Sequence, residues 1–318
     1  MRVWVVSVFS CWLLSGCEFI ELPETEGTEG PGGPPPLIQT AIPTFDIDLF
    51  VSNLDDHFDD RYAGAQIVVL QNGQIYDSWA VGNRTIGQPT GDNPMTVNTQ
   101  LPVASVSKVI GSMALLQALE ANGILLEQPI HNYLPESWKP LVHPDHFDAG
   151  SPYLIRFVNL MRNETALAFP LPDGSGWNPG RMPRWDEMLT ALQAPADPNR
   201  NGDYQNGNFA LIRVLLCEIE LGIDADDPDS DYDDACSGAY EASIQNTIFS
   251  PLDIEGVGHT EASANAISRA YAFPVVATVP NSDGTLGLSN WESFPRNAGS
   301  GGLYLSSMEL AKVIAFLV

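Results

Sequence analysis

The apolar positions of this chain fall into runs of distinct period. Val109, Ile110, Met113, Leu116 and Leu119 recur at the spacing of one helix face, and Asn122-Gly123 supplies a stop signal. Phe209, Leu211, Ile212, Leu215 and Leu216 repeat the pattern and predict a second helix. Nearer the start, Ala63 to Leu70 and Gln74 to Tyr76 flank Asn72-Gly73, the strongest two-residue signal for a β-hairpin. Val3 to Leu14 is a continuous apolar run behind Met1-Arg2. It is too short to span a bilayer, which takes about 20 residues, and is expected to be the core of a secretory signal. Between it and the first hairpin, Glu21, Glu24, Glu26 and Glu29 alternate with glycines before Pro34-Pro35-Pro36. That composition cannot bury a core and predicts an extended spacer over residues 18–40. Residues 41–318 then suit one unit with a sheet part and a helical part, and no internal repeat is present.

The candidate chemistry sits where the two helical runs begin. Ser105-Val106-Ser107-Lys108 opens the first and carries one of only three lysines in the chain. Residues three apart share a helix face, with Cβ atoms roughly 5–6 Å apart, so the Ser105 hydroxyl and the Lys108 amine are expected to meet as nucleophile and base. At a helix start, backbone N–H groups and the dipole favour a developing oxyanion. Tyr204-Gln205-Asn206 stands at the head of the second run. A serine and a lysine on an ordinary helix is the plain alternative for the first motif alone; the second motif weighs against it.

Ser-x-x-Lys followed at this distance by Tyr-x-Asn resembles the penicillin-recognising serine hydrolases, and the Tyr-x-Asn form is similar to the class C β-lactamase branch. The resemblance runs from about Phe45 to Leu317. It includes the Asn72-Gly73 hairpin, the approach Thr99 to Ala104, the crossing Gly123 to Ile130 with Tyr133-Leu134-Pro135-Glu136, then Ile248 to Ile254 and Gly301 to Ser307. It implies an α/β (α+β) β-lactamase/transpeptidase-like fold, with an antiparallel sheet, flanking helices and a helical subdomain. It also implies an acyl-enzyme on Ser105, proton handling by Lys108 and Tyr204, and a substrate contact from Asn206. The substrate would be an amide, β-lactam or ester, either a small molecule or derived from peptidoglycan. The family's third motif, Lys-Thr-Gly or His-x-Gly, normally lies beyond the Gly-Gly-Leu segment, and the chain ends soon after that segment, at Val318. His259-Thr260-Glu261 lacks the glycine and reads as a loop. The expectation is a domain incomplete at its C-terminus, its sheet reduced to the N-terminal hairpin. The segment Leu160 to Leu167 departs from the family's usual wording and is expected to matter little to function.

Leu14-Ser15-Gly16-Cys17 resembles the bacterial lipoprotein processing site, so residues 1–17 are expected to form a lipoprotein signal with Cys17 lipidated. Glu18 leans towards the outer membrane, which places the protein in the cell envelope on a lipid anchor. Cys11 would leave with the signal, so Cys217 and Cys236 are expected to pair as a disulfide. Closing a loop of about twenty residues, it would contribute roughly 3 kcal/mol; a buried thiol with a free one is the alternative. Between them Asp224 to Asp234 carries seven aspartates. Asp226, Asp229, Asp231 and Asp233 are weak candidates for a structural calcium, against a solvated acidic insertion. Asp197 to Asp203 copies the first half of a calcium loop but reads better as a turn presenting Tyr204. The net charge of −26 excludes a nucleic-acid partner. No His/Cys cluster has zinc spacing, and no cofactor is expected. Two other classes stay open: an inactive lipid-anchored binding protein of the same fold, and an acidic calcium-stabilised surface module.

Overall fold

The Asn72-Gly73 turn sets the sheet. Both residues adopt positive φ, 52° and 76°, which matches the twist of a tight antiparallel hairpin. They join β2 (Gly64–Gln71) to β3 (Gln74–Gly82), paired from Gly64↔Gly82 to Gln71↔Gln74 with a bulge between Val69 and Leu70. The structure, a computed structural model, describes residues 3–9, 46–58, 64–84, 94–169, 183–222, 232–254 and 298–317. Cys17, the spacer, most of the acidic run with Asp226, Asp229 and Asp231, and His259 lie outside these.

The sheet differs from the hairpin expected. β1 (Val3–Phe9) pairs antiparallel along the other edge of β2, from Val3↔Gln71 to Phe9↔Ala65, in the order β1-β2-β3. Its sequence VWVVSVF is rich in β-branched and aromatic residues, which suit a strand wherever an open edge is available.

Side chains of β2 are buried on both faces. Ala65, Ile67 and Val69 pack with Ile47, Val51 and Leu54 of α1 (Ile47–Phe58), while Val68 and Leu70 join the main core. Gln66 is fully buried, and its amide donates to the Thr99 carbonyl (2.7 Å) and accepts from the Ser307 amide (2.8 Å). A buried amide paired this way fixes register. It ties the sheet both to the approach to Ser105 and to the last helix.

The main core is helical. α2 (Ser107–Ala121) and α5 (Asn206–Glu220) pack together, and α6 (Tyr232–Ile244) packs on α5, with α3 (Phe157–Met161) and α4 (Trp185–Gln193) around them. α5 is buried on every side from Gly207 to Cys217, which explains why its apolar run is continuous rather than one-faced. β4 (Leu101–Pro102) and β5 (Tyr304–Leu305) form a short antiparallel pair that delivers the chain to Ser105. α7 (Ser307–Leu317) follows, its start closed by reciprocal bonds between Ser306 and Glu309. No described helix is long and apolar enough to cross a membrane.

The expected disulfide is not formed. Cys217 and Cys236 are free thiols, both fully buried, where α5 faces α6. Burial, the neighbouring Cys217 and the Tyr232 side chain together act on the Cys236 thiol, and burial dominates, pushing its pKa up. The thiols fill an apolar seam as small hydrophobic side chains do.

Candidate active site

The nucleophile is placed by a local turn rather than by the α-helix itself. Ala104 to Val106 form a 3₁₀ turn that runs into α2, and Ala104 takes φ 46°, a conformation an alanine adopts only under constraint. The constraint is visible on both sides of it: the Val103 amide donates to the Leu303 carbonyl (3.0 Å), and the Val106 amide to the Val103 carbonyl (3.0 Å). Ser105 is thereby turned towards Lys108, three residues on. The Lys108 amine donates to Ser105 Oγ at 2.9 Å, and the Tyr204 hydroxyl lies 2.6 Å from the same oxygen. The three residues that the sequence singled out do meet on one oxygen.

Lys108 is only 6% exposed. Its amine also donates to the Ser300 carbonyl (2.8 Å) and stands over the rings of Tyr204 and Phe209, at 4.9 and 5.5 Å from their centroids. Among the described residues no carboxylate pairs with it. Burial therefore acts unopposed and lowers its pKa to about 8. At pH 7 about a tenth of such an amine is neutral, enough to serve as a base.

Tyr204 is half exposed and is presented by the turn Asp197 to Asp203. Asp197 accepts from the Asn199 amide (3.0 Å), and Arg200 reaches Asp197 and Asp203 at 3.6 and 3.4 Å. The calcium-like spacing is thus occupied by an arginine, and the segment is a turn. Behind it, Gln205 donates from its amide to Asn163 Oδ1 (3.1 Å) and from its side chain to the Leu167 carbonyl (2.8 Å). Asn208 also donates to Asn163 Oδ1 (3.0 Å) and accepts from Thr165 (2.7 Å). The Leu160 to Leu167 segment, expected to matter little, anchors the tyrosine loop. Its Asn163 stands at φ 55°, a conformation asparagine tolerates better than most residues. Asn206 opens α5, half buried, two residues from the phenol.

Sequence reasoning missed Ser300, whose carbonyl holds the lysine, because a backbone acceptor leaves no mark on residue type. The positive φ at Gly299 and Gly302, 102° and 86°, is the trace it does leave. Asp233 is corrected as a calcium candidate: its carboxylate accepts from Arg213 at 2.7 Å. No group of His, Cys, Asp or Glu able to hold a metal occurs among the described residues. His143 and His146 stack edge to face, and His146 Nε2 bonds the Ala194 carbonyl at 3.0 Å, so they serve packing.

A buried lysine, a serine and a tyrosine thus share one hydrogen-bonded oxygen at the start of a helix, beside a small antiparallel sheet. The Beta-lactamase family profile matches residues 50–317, and the chain belongs to that family. Esterase EstB of Burkholderia gladioli is 27% identical over 138 residues, covering 42% of this chain and 33% of the esterase. Among solved structures, the octameric penicillin-binding protein homologue of Pyrococcus abyssi superposes with a TM-score of 0.55 at 18% identity, covering 85% of this chain and 56% of its own. A class C β-lactamase of Rhodobacter sphaeroides gives 0.53 at 17% identity, covering 84% and 63%. These likenesses establish the β-lactamase/transpeptidase-like fold. The chain spans about a third of the curated esterase and little more than half of the Pyrococcus structure.

Proposed function

We propose that this protein is a serine hydrolase that works through an acyl-enzyme on Ser105, with esters as the first substrate class to test and amides or β-lactams after them. The observation that carries it is the Ser105 oxygen, 2.9 Å from the Lys108 amine and 2.6 Å from the Tyr204 hydroxyl. Ser105 Oγ attacks the substrate carbonyl, and its proton passes to the neutral Lys108 amine. The tetrahedral oxyanion draws on backbone N–H groups at the start of α2. As it collapses, Tyr204 gives its proton to the leaving alkoxide or amine, and Lys108 restores the tyrosine's proton. Water then attacks the acyl-enzyme, its proton taken up by the same pair. Asn206, at the head of α5, would donate to the substrate's carbonyl. Esters come first because the curated relative is an esterase.

The test is labelling of the full chain with a fluorescent fluorophosphonate, followed by mass mapping, together with p-nitrophenyl butyrate turnover. Adduct on Ser105 and turnover lost in Ser105→Ala support the reading. Absence of both, or turnover that survives Ser105→Ala, refutes it.

We propose also that the protein is exported and lipidated at Cys17, on the strength of Val3 to Leu14 and Leu14-Ser15-Gly16-Cys17. Cleavage there would remove β1 and leave the outer edge of β2 to another partner. Metabolic labelling with an alkynyl fatty acid, lost in Cys17→Ala, decides it.

A further inference from the structure

We propose that Asn163, in the loop after α3, is a positioning residue for Tyr204, and that it governs how well the enzyme expels a poor leaving group; the inference rests on the reading of Tyr204 as the proton donor. Tyr204 is 51% exposed, and the turn before it ends in solvent at Asn201 and Gly202. With half of its surface in water, the phenol is aimed by the backbone on either side rather than by packing. The downstream side is the firm one. Gln205, the next residue, is buried, and its amide donates to Asn163 Oδ1 at 3.1 Å, while its side chain donates to the Leu167 carbonyl at 2.8 Å. In the first turn of α5, the fully buried Asn208 donates to the same Asn163 oxygen at 3.0 Å and accepts from the Thr165 hydroxyl at 2.7 Å.

Chemistry fixes the direction of every bond in this set. A backbone N–H can only donate, so Asn163 must present its oxygen to Gln205. Asn208 must then turn its NH₂ group to that oxygen, which leaves its own oxygen for Thr165. One acceptor atom thus ties the residue after the phenol to the start of α5, and because Gln205 and Asn208 are buried, its loss would leave two donors unpaired. Asn163 is held in turn: at φ 55° its amide donates to the Leu160 carbonyl (3.1 Å), and the Glu164 amide donates to the Asn159 carbonyl (2.8 Å). An unbroken line of hydrogen bonds therefore runs from α3 through Asn163 to Gln205, the neighbour of the residue whose hydroxyl lies 2.6 Å from Ser105 Oγ. A shift of about 1 Å in a reacting group can cost roughly 10²-fold in the step that uses it. Here that step is the protonation of the leaving group. A p-nitrophenolate departs as a stable anion and needs little help, whereas ethoxide is strongly basic and needs the proton.

The experiment compares the full chain with Asn163→Gly, which keeps the positive φ without strain and removes the acceptor, and with Asn163→Asp, which keeps an oxygen for both donors. Each protein is assayed for kcat/KM on ethyl butyrate and on p-nitrophenyl butyrate, which share an acyl group and differ only in the group expelled. In Asn163→Gly, activity on the ethyl ester should fall about 10²-fold and on the p-nitrophenyl ester by less than about tenfold. Asn163→Asp should stay within about fivefold of the parent on both. Equal losses on the two esters, no loss in Asn163→Gly, or an Asn163→Asp as impaired as Asn163→Gly overturns the proposal, since a merely structural role would move both substrates together. A second readout does not depend on turnover. With the nine tyrosines replaced by 3-fluorotyrosine, the Tyr204 signal is assigned in the ¹⁹F NMR spectrum by its loss in Tyr204→Phe. Ser105→Ala should shift that signal in the parent and leave it unmoved in Asn163→Gly. No shift in the parent, or a shift of parent size in Asn163→Gly, overturns the positioning role. Lack of any Ser105-dependent turnover in the parent would refute the hydrolase reading alone, and the ¹⁹F comparison would still decide the role of Asn163.

Discussion

Lys108 and Arg213 are both cations sunk in the helical core, on α2 and α5, helices that pack against each other, and their surroundings treat them in opposite ways. Arg213 is fully buried but bonded to Asp233 at 2.7 Å. Burial lowers its pKa and Asp233 raises it, and a guanidinium so paired keeps its charge. Lys108 is nearly as buried and has a carbonyl, a hydroxyl and two aromatic rings, with no carboxylate among the described residues. Nothing offsets its desolvation, so its pKa falls to about 8. The lesson is that depth alone does not make a base. A buried cation becomes one when the fold withholds its counter-ion, and becomes a structural pin when the fold supplies it.

This contrast can be broken from either side. On the proposed reading, Ser105→Ala should remove essentially all turnover, a loss of about 10⁴-fold or more, with the fold retained, as circular dichroism would check. Lys108→Arg keeps a cation that cannot lose its proton and should cost roughly 10²–10⁴ in kcat/KM; near-parent activity would mean that the proton goes elsewhere. The same experiment at Arg213 should leave chemistry alone and damage stability. Asp233→Ala strands a buried charge and should cost about 3–5 kcal/mol in urea unfolding; a loss below about 1 kcal/mol would show that water reaches the guanidinium.

Two pH experiments sharpen the comparison. If neutral Lys108 is the base, kcat/KM should rise as pH increases through about 8 and then level off. A profile flat from pH 6 to 10 contradicts it. The smaller effect belongs to His146, whose pKa is lowered chiefly by burial, aided by His143 and opposed by the Ala194 carbonyl and Asp145. With the folded pKa below the unfolded one, the unfolded chain binds more protons in between. The stability from this group is therefore complete above the ordinary histidine range, near pH 6.5, and is lost as pH falls below it. His146→Gln should flatten that part of the melting-temperature profile.

The amino-acid sequence by itself determined the elements whose cause is local. Asn72-Gly73 can take two successive positive φ values, so the hairpin follows from two residues. Ser105 and Lys108 meet because three residues make nearly one helical turn, in the 3₁₀ geometry observed as in the α-helix expected. Asp197 to Asp203 forms a turn because its own arginine is within reach of both carboxylates. Tertiary structure decided what depends on partners far along the chain. Whether Lys108 would be paired, and by what, required the Ser300 carbonyl, nearly two hundred residues away. Whether Cys217 and Cys236 would bond or pack turned on how α5 meets α6, and whether Asp233 would serve a cation turned on which cation faced it. The unremarkable Asn163 became the anchor of the tyrosine loop only once α5 lay against it. Short-range hydrogen bonds and backbone preferences are written in residue type, whereas burial and charge pairing are properties of the neighbours that folding assembles.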